Sequence, residues 1–141
     1  MIKRLLTLPD DLDTLATEAR AEGFRALDVL AEEFCAGTLR FEGSGEALFG
    51  AYREGALVGI GGVCGDPYAP GAARVRRLYV AKAARGQGVG RALVAAIVAQ
   101  AAPHFPLLRV RAPEDAAGFY LATGFSALPD PRGASHAMPL R

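Results

Sequence analysis

"RVRRLYVAKAARGQGVGRALVAAIVAQ", residues 74–100, decides how the chain is read. It opens as a strand-like run, "RVRRLYV" at 74–80, and closes as an unbroken helical run from residue 88. Between the two, Gly86, Gly88 and Gly90 fall within five positions, flanked by Arg85 and Arg91. A helix that starts out of a glycine turn exposes backbone N–H groups with no intrahelical partner, and its dipole adds positive potential there. Glycine also lets a ligand approach the backbone and permits φ > 0. Six cations (Arg74, Arg76, Arg77, Lys82, Arg85, Arg91) and no acid lie between 74 and 91. The stretch reads as a cradle for a polyanion.

Two nucleotide-binding motifs are excluded. A P-loop needs Gly-x-x-x-x-Gly-Lys-Ser/Thr, and the chain has no Lys-Ser or Lys-Thr. A Rossmann fingerprint needs Gly-x-Gly-x-x-Gly with an acid about 20 residues on. Here the spacing is Gly86-x-Gly88-x-Gly90, and position 110 is Val.

The 141 residues fit one domain, expected to span 1–141, with enough volume to fold without a disulfide or metal staple. Apolar residues make up 51% of the chain, too many for disorder. No apolar run approaches the roughly 18 residues of a membrane span, and "MIKRLLTLPDDLD" lacks a signal-peptide pattern. Cys35 and Cys64 match neither a disulfide framework nor a zinc pattern, which predicts two free thiols and a reducing, cytoplasmic setting. His104 and His136 pair with no Cys or acid at ligand spacing, so no metal is expected. A net charge of +1 argues against a dedicated nucleic-acid binder, and no membrane partner is expected. The charge is unevenly spread. Residues 1–54 hold eleven acids and six cations, and residues 55–141 hold ten cations and four acids.

Periodicity and punctuation give the remaining elements. "IKRLLTL" (2–8) reads as a strand closed by Pro9. "DDLDTLATEARAEG" reads as a helix with Asp10 or Asp11 as N-cap, and "FRALDVLAEEFCAG" as a second ending at Gly37. "EALFGAYRE" (46–54) and "ALVGIGGVCG" (56–65) form a hairpin turning at Glu54-Gly55. After the 74–80 strand and the 88–102 helix come a strand (107–112), a short helix (114–124) and two final strands around a Pro131–Gly133 turn. The order βααβββαβαββ predicts a mixed α/β (α+β) domain: a largely antiparallel central sheet flanked by helices, with one β-α-β crossover.

Arg85-x-x-Gly88-x-Gly90 resembles the Arg/Gln-x-x-Gly-x-Gly/Ala signature of the acetyl-CoA-dependent N-acetyltransferase (GNAT) superfamily. "RRLYV" (76–80) is similar to the family's Leu-x-Val strand before that loop, and "AAGFYLATGF" (116–125) to its Ala-x-x-Phe-Tyr-x-x-x-Gly-Phe. The element order agrees across nearly the whole chain, while residues 1–45 match in pattern only.

The resemblance implies a transferase that moves an acetyl group from acetyl-CoA to a primary amine by direct attack in a ternary complex. The coenzyme's pyrophosphate would rest on the loop, here Arg85, Gly86, Gln87, Gly88, Val89, Gly90 and Arg91. Its pantetheine arm would pair with the strand edge, here Leu78, Tyr79 and Val80. Tyr120 would donate a proton to the leaving thiolate, and a backbone N–H near Val80 would hold the oxyanion.

The sequence departs from the family twice. Many members carry Glu on the strand before the loop where this chain has Arg74, so the general base is open among Glu32, Glu33, Glu46, Glu54, Asp66 and water. The Asn that often opens the last helix is absent. Pro113 stands near its place, with Glu114 or Asp115 as substitutes. The N-terminal helices are expected to wall the acceptor site, with Phe24, Phe34 and Phe41 as lining or core. Their acidic balance suits a cationic amine, while Arg76 or Arg77 would suit a substrate carboxylate or a CoA phosphate. Many relatives dimerise, so a homodimer is among the partners implied, although no segment marks an interface. A catalytically silent CoA-binding or sensor module of the same fold, or an unrelated phosphate-binding protein, also fits the loop.

Overall fold

The computed structural model describes residues 1–129 and 133–140. Strands β1 (Ile2–Leu5), β2 (Ala47–Arg53), β3 (Ala56–Gly65), β4 (Ala73–Val80), β5 (Leu107–Val110), β6 (Ser126–Ala127) and β7 (His136–Pro139) form one sheet. Their spatial order is β1-β2-β3-β4-β5-β7-β6. β4 and β5 run parallel, and the other neighbours are antiparallel. Helices α1 (Leu12–Ala21), α2 (Ala26–Ala36), α3 (Val89–Ala101) and α4 (Ala117–Ala122) flank the sheet in the predicted order.

The elements that differ most from expectation are shorter, each for a local reason. β1 stops at Leu5, whose partner Leu48 is near the start of β2, and Leu6 then turns out to solvent. β5 stops at Val110, opposite His136 at the start of β7. The helix expected over 114–124 opens as one 3₁₀ turn, Glu114–Ala116, before α4. The predicted Pro131–Gly133 turn begins outside the described residues. Asp11 does stand at the N-cap of α1, but its carboxylate makes no cap bond. It accepts a 2.9 Å bond from the Leu57 amide instead, tying α1 to the β2–β3 hairpin. That hairpin turns where expected, with Glu54 and Gly55 at φ 52° and 80°, the signs a type I′ turn requires.

Alternation along the strands builds two cores. Ala47, Phe49, Val63 and Val75 face α3 and α4 with Leu93, Ile97, Leu108 and Tyr120. Leu48, Ile60, Cys64 and Tyr79 face α1 and α2 with Leu15, Leu27 and Leu30. Cys64 is buried, and burial pushes its thiol up to about 11, whereas Cys35 is exposed. A thiol-reactive dye should therefore label one cysteine in the native protein and two after denaturation. Two fast thiols in the native state would contradict this core.

β4 breaks the alternation. Val75 and Leu78 are three residues apart yet pack on the same core. Between them Arg77 takes φ 56°, and two β4 residues oppose the single Gly61 of β3. This is a β-bulge, which bends the strand and raises its twist. Gly61 leaves room beneath it for Leu78, whose Cδ1 would stand 2.6 Å from a Cβ there. β4 pairs with β5 only at Ala73–Leu108 and Arg74–Arg109. Past that point the two strands diverge, and the outer half of β4 presents a free edge.

Candidate active site

The divergence of β4 from β5 opens a cavity of about 600 Å³. Its walls are the outer half of β4 (Leu78, Tyr79, Val80), the loop and first turn of α3, and Phe119 and Tyr120 of α4. The three loop glycines divide the work. Gly86 and Gly88 adopt φ 77° and 85°, and a Cβ on either would meet nothing within 4 Å. They shape the turn and leave its face bare. Gly90 is tight for another reason: a Cβ there would press within 3.0 Å of the Phe119 ring, so its smallness lets α4 close on α3. Gly88 is the N-cap of α3 and offers no side-chain cap. Ala92 is the first residue to bond back, onto Gly88 O at 3.0 Å. The amides of Val89, Gly90 and Arg91 therefore face the cavity mouth as unspent donors. The residues present fit a pyrophosphate on the loop and an amide-bearing arm along β4.

Arg85 and Gln87 serve the loop differently. Arg85 donates from Nε to Val80 O at 3.1 Å and grips Glu22, the C-cap of α1, with both terminal nitrogens at 3.0 and 2.5 Å. Its guanidinium braces the loop against β4 and α1. The Gln87 side chain bonds Ala83 O and accepts from Arg53 at the end of β2. Arg91 lines the cavity directly. The Tyr79 side chain points to α1, where its hydroxyl lies 2.7 Å from Glu18 and 2.5 Å from Glu22, and burial with these carboxylates raises its pKa.

Glu18 and Glu22 were missed from the sequence. They lie one turn apart on the polar side of α1, a spacing that points at β4 only once the two elements are known to touch. Hydrogen bonds from Arg85 and Tyr79 hold the Glu22 carboxyl down at about 2. The contribution of that contact is present above about pH 4.5 and fades as pH falls toward 2. Glu22→Gln should therefore melt lower than the parent at pH 7, by a modest amount for an exposed pair, and the gap should close toward pH 2. A gap constant across that range would mean the contact does not form.

A second, smaller cavity of about 190 Å³ adjoins the first. Phe24, Leu78, Pro113 and Tyr120 line both. Tyr120 is 3% exposed, its ring packed edge-on to Phe119 and Phe125 at 5.0 and 5.3 Å. Burial raises the pKa of its phenol, and no hydrogen bond to its hydroxyl forms among the described residues.

The candidate bases do not gather here. Asp66 is buried and receives Arg109 at 2.8 Å and Arg74 at 3.7 Å. Arg74, in the position of the family's Glu, also bonds Gly133 O. Glu33 is engaged by Arg77 at 2.8 Å, and Glu46 accepts from the Gly43 and Gly65 amides. Glu54 sits in the hairpin turn, Glu32 is exposed, and neither lines either of these two cavities. Of the phenylalanines proposed for the acceptor wall, Phe24 lines both cavities. Phe41 is buried against Gly62, and Phe34 lies under Arg40. Asp115, but not Glu114, reaches the larger cavity. Among the described residues, no cluster of three His, Cys, Asp or Glu could hold a metal, and no helix is long and apolar enough to cross a membrane.

A family model of the GNAT acetyltransferase domain matches residues 44–127, from the loop before β2 through β6. The chain belongs to this family. Its fold is that of solved GNAT structures. A protein of Exiguobacterium sp. 255-15 assigned as an acetyltransferase superposes with a TM-score of 0.89 at 24% identity, over 99% of this chain and 92% of that one. A GNAT-family protein of Desulfovibrio desulfuricans gives 0.76 at 20% identity, over 100% and 99%. The GNAT family N-acetyltransferase YhbS of Escherichia coli, solved with CoA, gives 0.71 at 18% identity, over 100% and 81%. At these identities the likeness carries the fold alone. No curated protein matches the sequence.

Proposed function

We propose that residues 1–141 form one acetyl-CoA-dependent N-acetyltransferase domain that acetylates a primary amine by direct attack in a ternary complex. The observation that carries this reading is the meeting of two cavities at Phe24, Leu78, Pro113 and Tyr120. Direct transfer needs a donor site and an acceptor site that share one point, and Leu78 and Tyr120 belong to the walls of both cavities. The bare loop and the free amides of Val89, Gly90 and Arg91 support the donor assignment. The two unpaired cysteines support a reducing, cytoplasmic setting.

The chain's own groups have defined tasks in this reading. The free edge of β4 aligns the donor arm, and one of its amides faces the carbonyl oxygen as charge develops there. The amine nitrogen forms the new C–N bond, the C–S bond breaks, and the proton shed by nitrogen ends on sulfur. A phenol pushed above its usual value is a poor net acid toward a thiolate of ordinary pKa near 8.5. Tyr120 therefore stays protonated and donates a hydrogen bond to the leaving sulfur. None of the four junction residues is a carboxylate, so water takes the proton that the ammonium must lose before attack.

Thermal shift with acetyl-CoA, CoA and ATP, followed by free-thiol release with an amine panel, tests the proposal. Stabilisation by both CoA species and amine-dependent thiol release are expected. Stabilisation by ATP alone would overturn the reading. Stabilisation by acetyl-CoA without thiol release from any amine would leave a silent CoA-binding module.

A further inference from the structure

The smaller cavity carries an unusual charge. Arg74, Arg76, Arg77 and Arg111 line it, and no carboxylate does. Two of the four are compensated elsewhere: Arg74 by Asp66, and Arg77 by Glu33 of α2. The side chains of Arg76 and Arg111 have neither an ion pair nor a hydrogen bond among the described residues, and Arg76 Nε is buried without a partner. A buried N–H with no acceptor is costly, and a guanidinium in that state is more so. Its natural partner is a carboxylate, which matches the guanidinium fork and would also neutralise Arg111.

Three of the acids on and beside α1 and α2, which made a cationic acceptor attractive from sequence, are spent on the protein itself. Glu22 binds Arg85, Glu33 binds Arg77 and Asp28 binds Arg20. What faces this cavity is net positive, so a polyamine or aminoglycoside would meet like charge. The donor's own phosphates are provided for by the loop at residues 85–91. At about 190 Å³ the cavity is smaller than the ~300–1,000 Å³ of pockets for drug-sized ligands.

We infer that the acceptor is an amino-acid-sized amine bearing a carboxylate, which is held by Arg76 and Arg111 while its amine reaches Tyr120 at the junction. This rests on the acetyltransferase reading above and names the substrate class of the same site.

The test is thiol release from acetyl-CoA with the common amino acids, each beside its primary amide, together with spermidine and phosphoethanolamine. At least one free acid should be acetylated with kcat/KM roughly tenfold or more above its amide. R111Q, at an exposed position, should raise KM for that acid about tenfold, leave the amide within about twofold, and leave acetyl-CoA affinity unchanged. R76Q should do the same, with unchanged acetyl-CoA affinity as its folding control. Preference for amides, spermidine or phosphoethanolamine would overturn the inference. So would variants that affect acid and amide alike, or a panel in which acetyl-CoA binds and no carboxylate-bearing amine is acetylated. Failure of acetyl-CoA to bind at all is a different result, since it removes the donor site itself.

Discussion

Gly88→Glu will bind acetyl-CoA at least ~100-fold more weakly than the parent protein in titration calorimetry. Two costs arise, one on stability and one on binding. Gly88 holds φ 85° at the N-cap of α3, a conformation that costs the fold about 1–2 kcal/mol when the residue has a Cβ, with or without ligand. The new side chain then projects into space where no protein atom lies within 4 Å, which is the face of the loop assigned to the pyrophosphate. A carboxylate about 4 Å from a phosphate charge costs roughly 4 kcal/mol at an effective dielectric of 20, so the hundredfold figure is a lower bound. Gly88→Ala separates the two terms, because it keeps the strain and adds no charge. Circular dichroism should show α3 intact in both variants. Normal acetyl-CoA affinity in Gly88→Glu would remove the donor site from this loop.

Tyr120→Phe should lower kcat by about 10²-fold while the KM for acetyl-CoA stays within about twofold. The ring is retained, so its edge-on contacts with Phe119 and Phe125 remain. The hydroxyl has no protein partner among the described residues to lose, so the melting temperature should not fall. Only a group that meets the reacting atoms would then be missing. Unchanged turnover would make Tyr120 a packing residue, and a fall in kcat matched by a fall in stability would point the same way.

Much of this was legible in the sequence because the informative features are local. A glycine turn between a strand run and a helix run specifies its own geometry, and the Phe119–Tyr120 pair is set by the short helix that carries it. The order of elements followed from periodicity. What was not legible depends on contacts between distant segments. Glu22 matters because Arg85 crosses to α1, and neither neighbourhood announces the other. Asp66 looked like a base until Arg74 and Arg109 closed on it. Gly90 looked like part of the anion cradle, but its size is fixed by Phe119, almost thirty residues on. The arginines at 74, 76 and 77 could not be sorted by simple alternation, because the extra residue in β4 lies among them.

That extra residue acts as a frameshift written into a strand. Upstream of Arg77 the odd-numbered positions Ala73 and Val75 face α3, and downstream the even-numbered Leu78 and Val80 do. Deleting Arg77 would restore one phase along the whole of β4. Leu78 and Val80 would still face α3 and Tyr79 would still face α1, since Val75, Arg76, Leu78, Tyr79 and Val80 then alternate without a break, but the bend and added twist of the bulge would be gone. The strand would remain a good strand by every local measure of propensity. It would no longer open away from β5, and the groove between them would close.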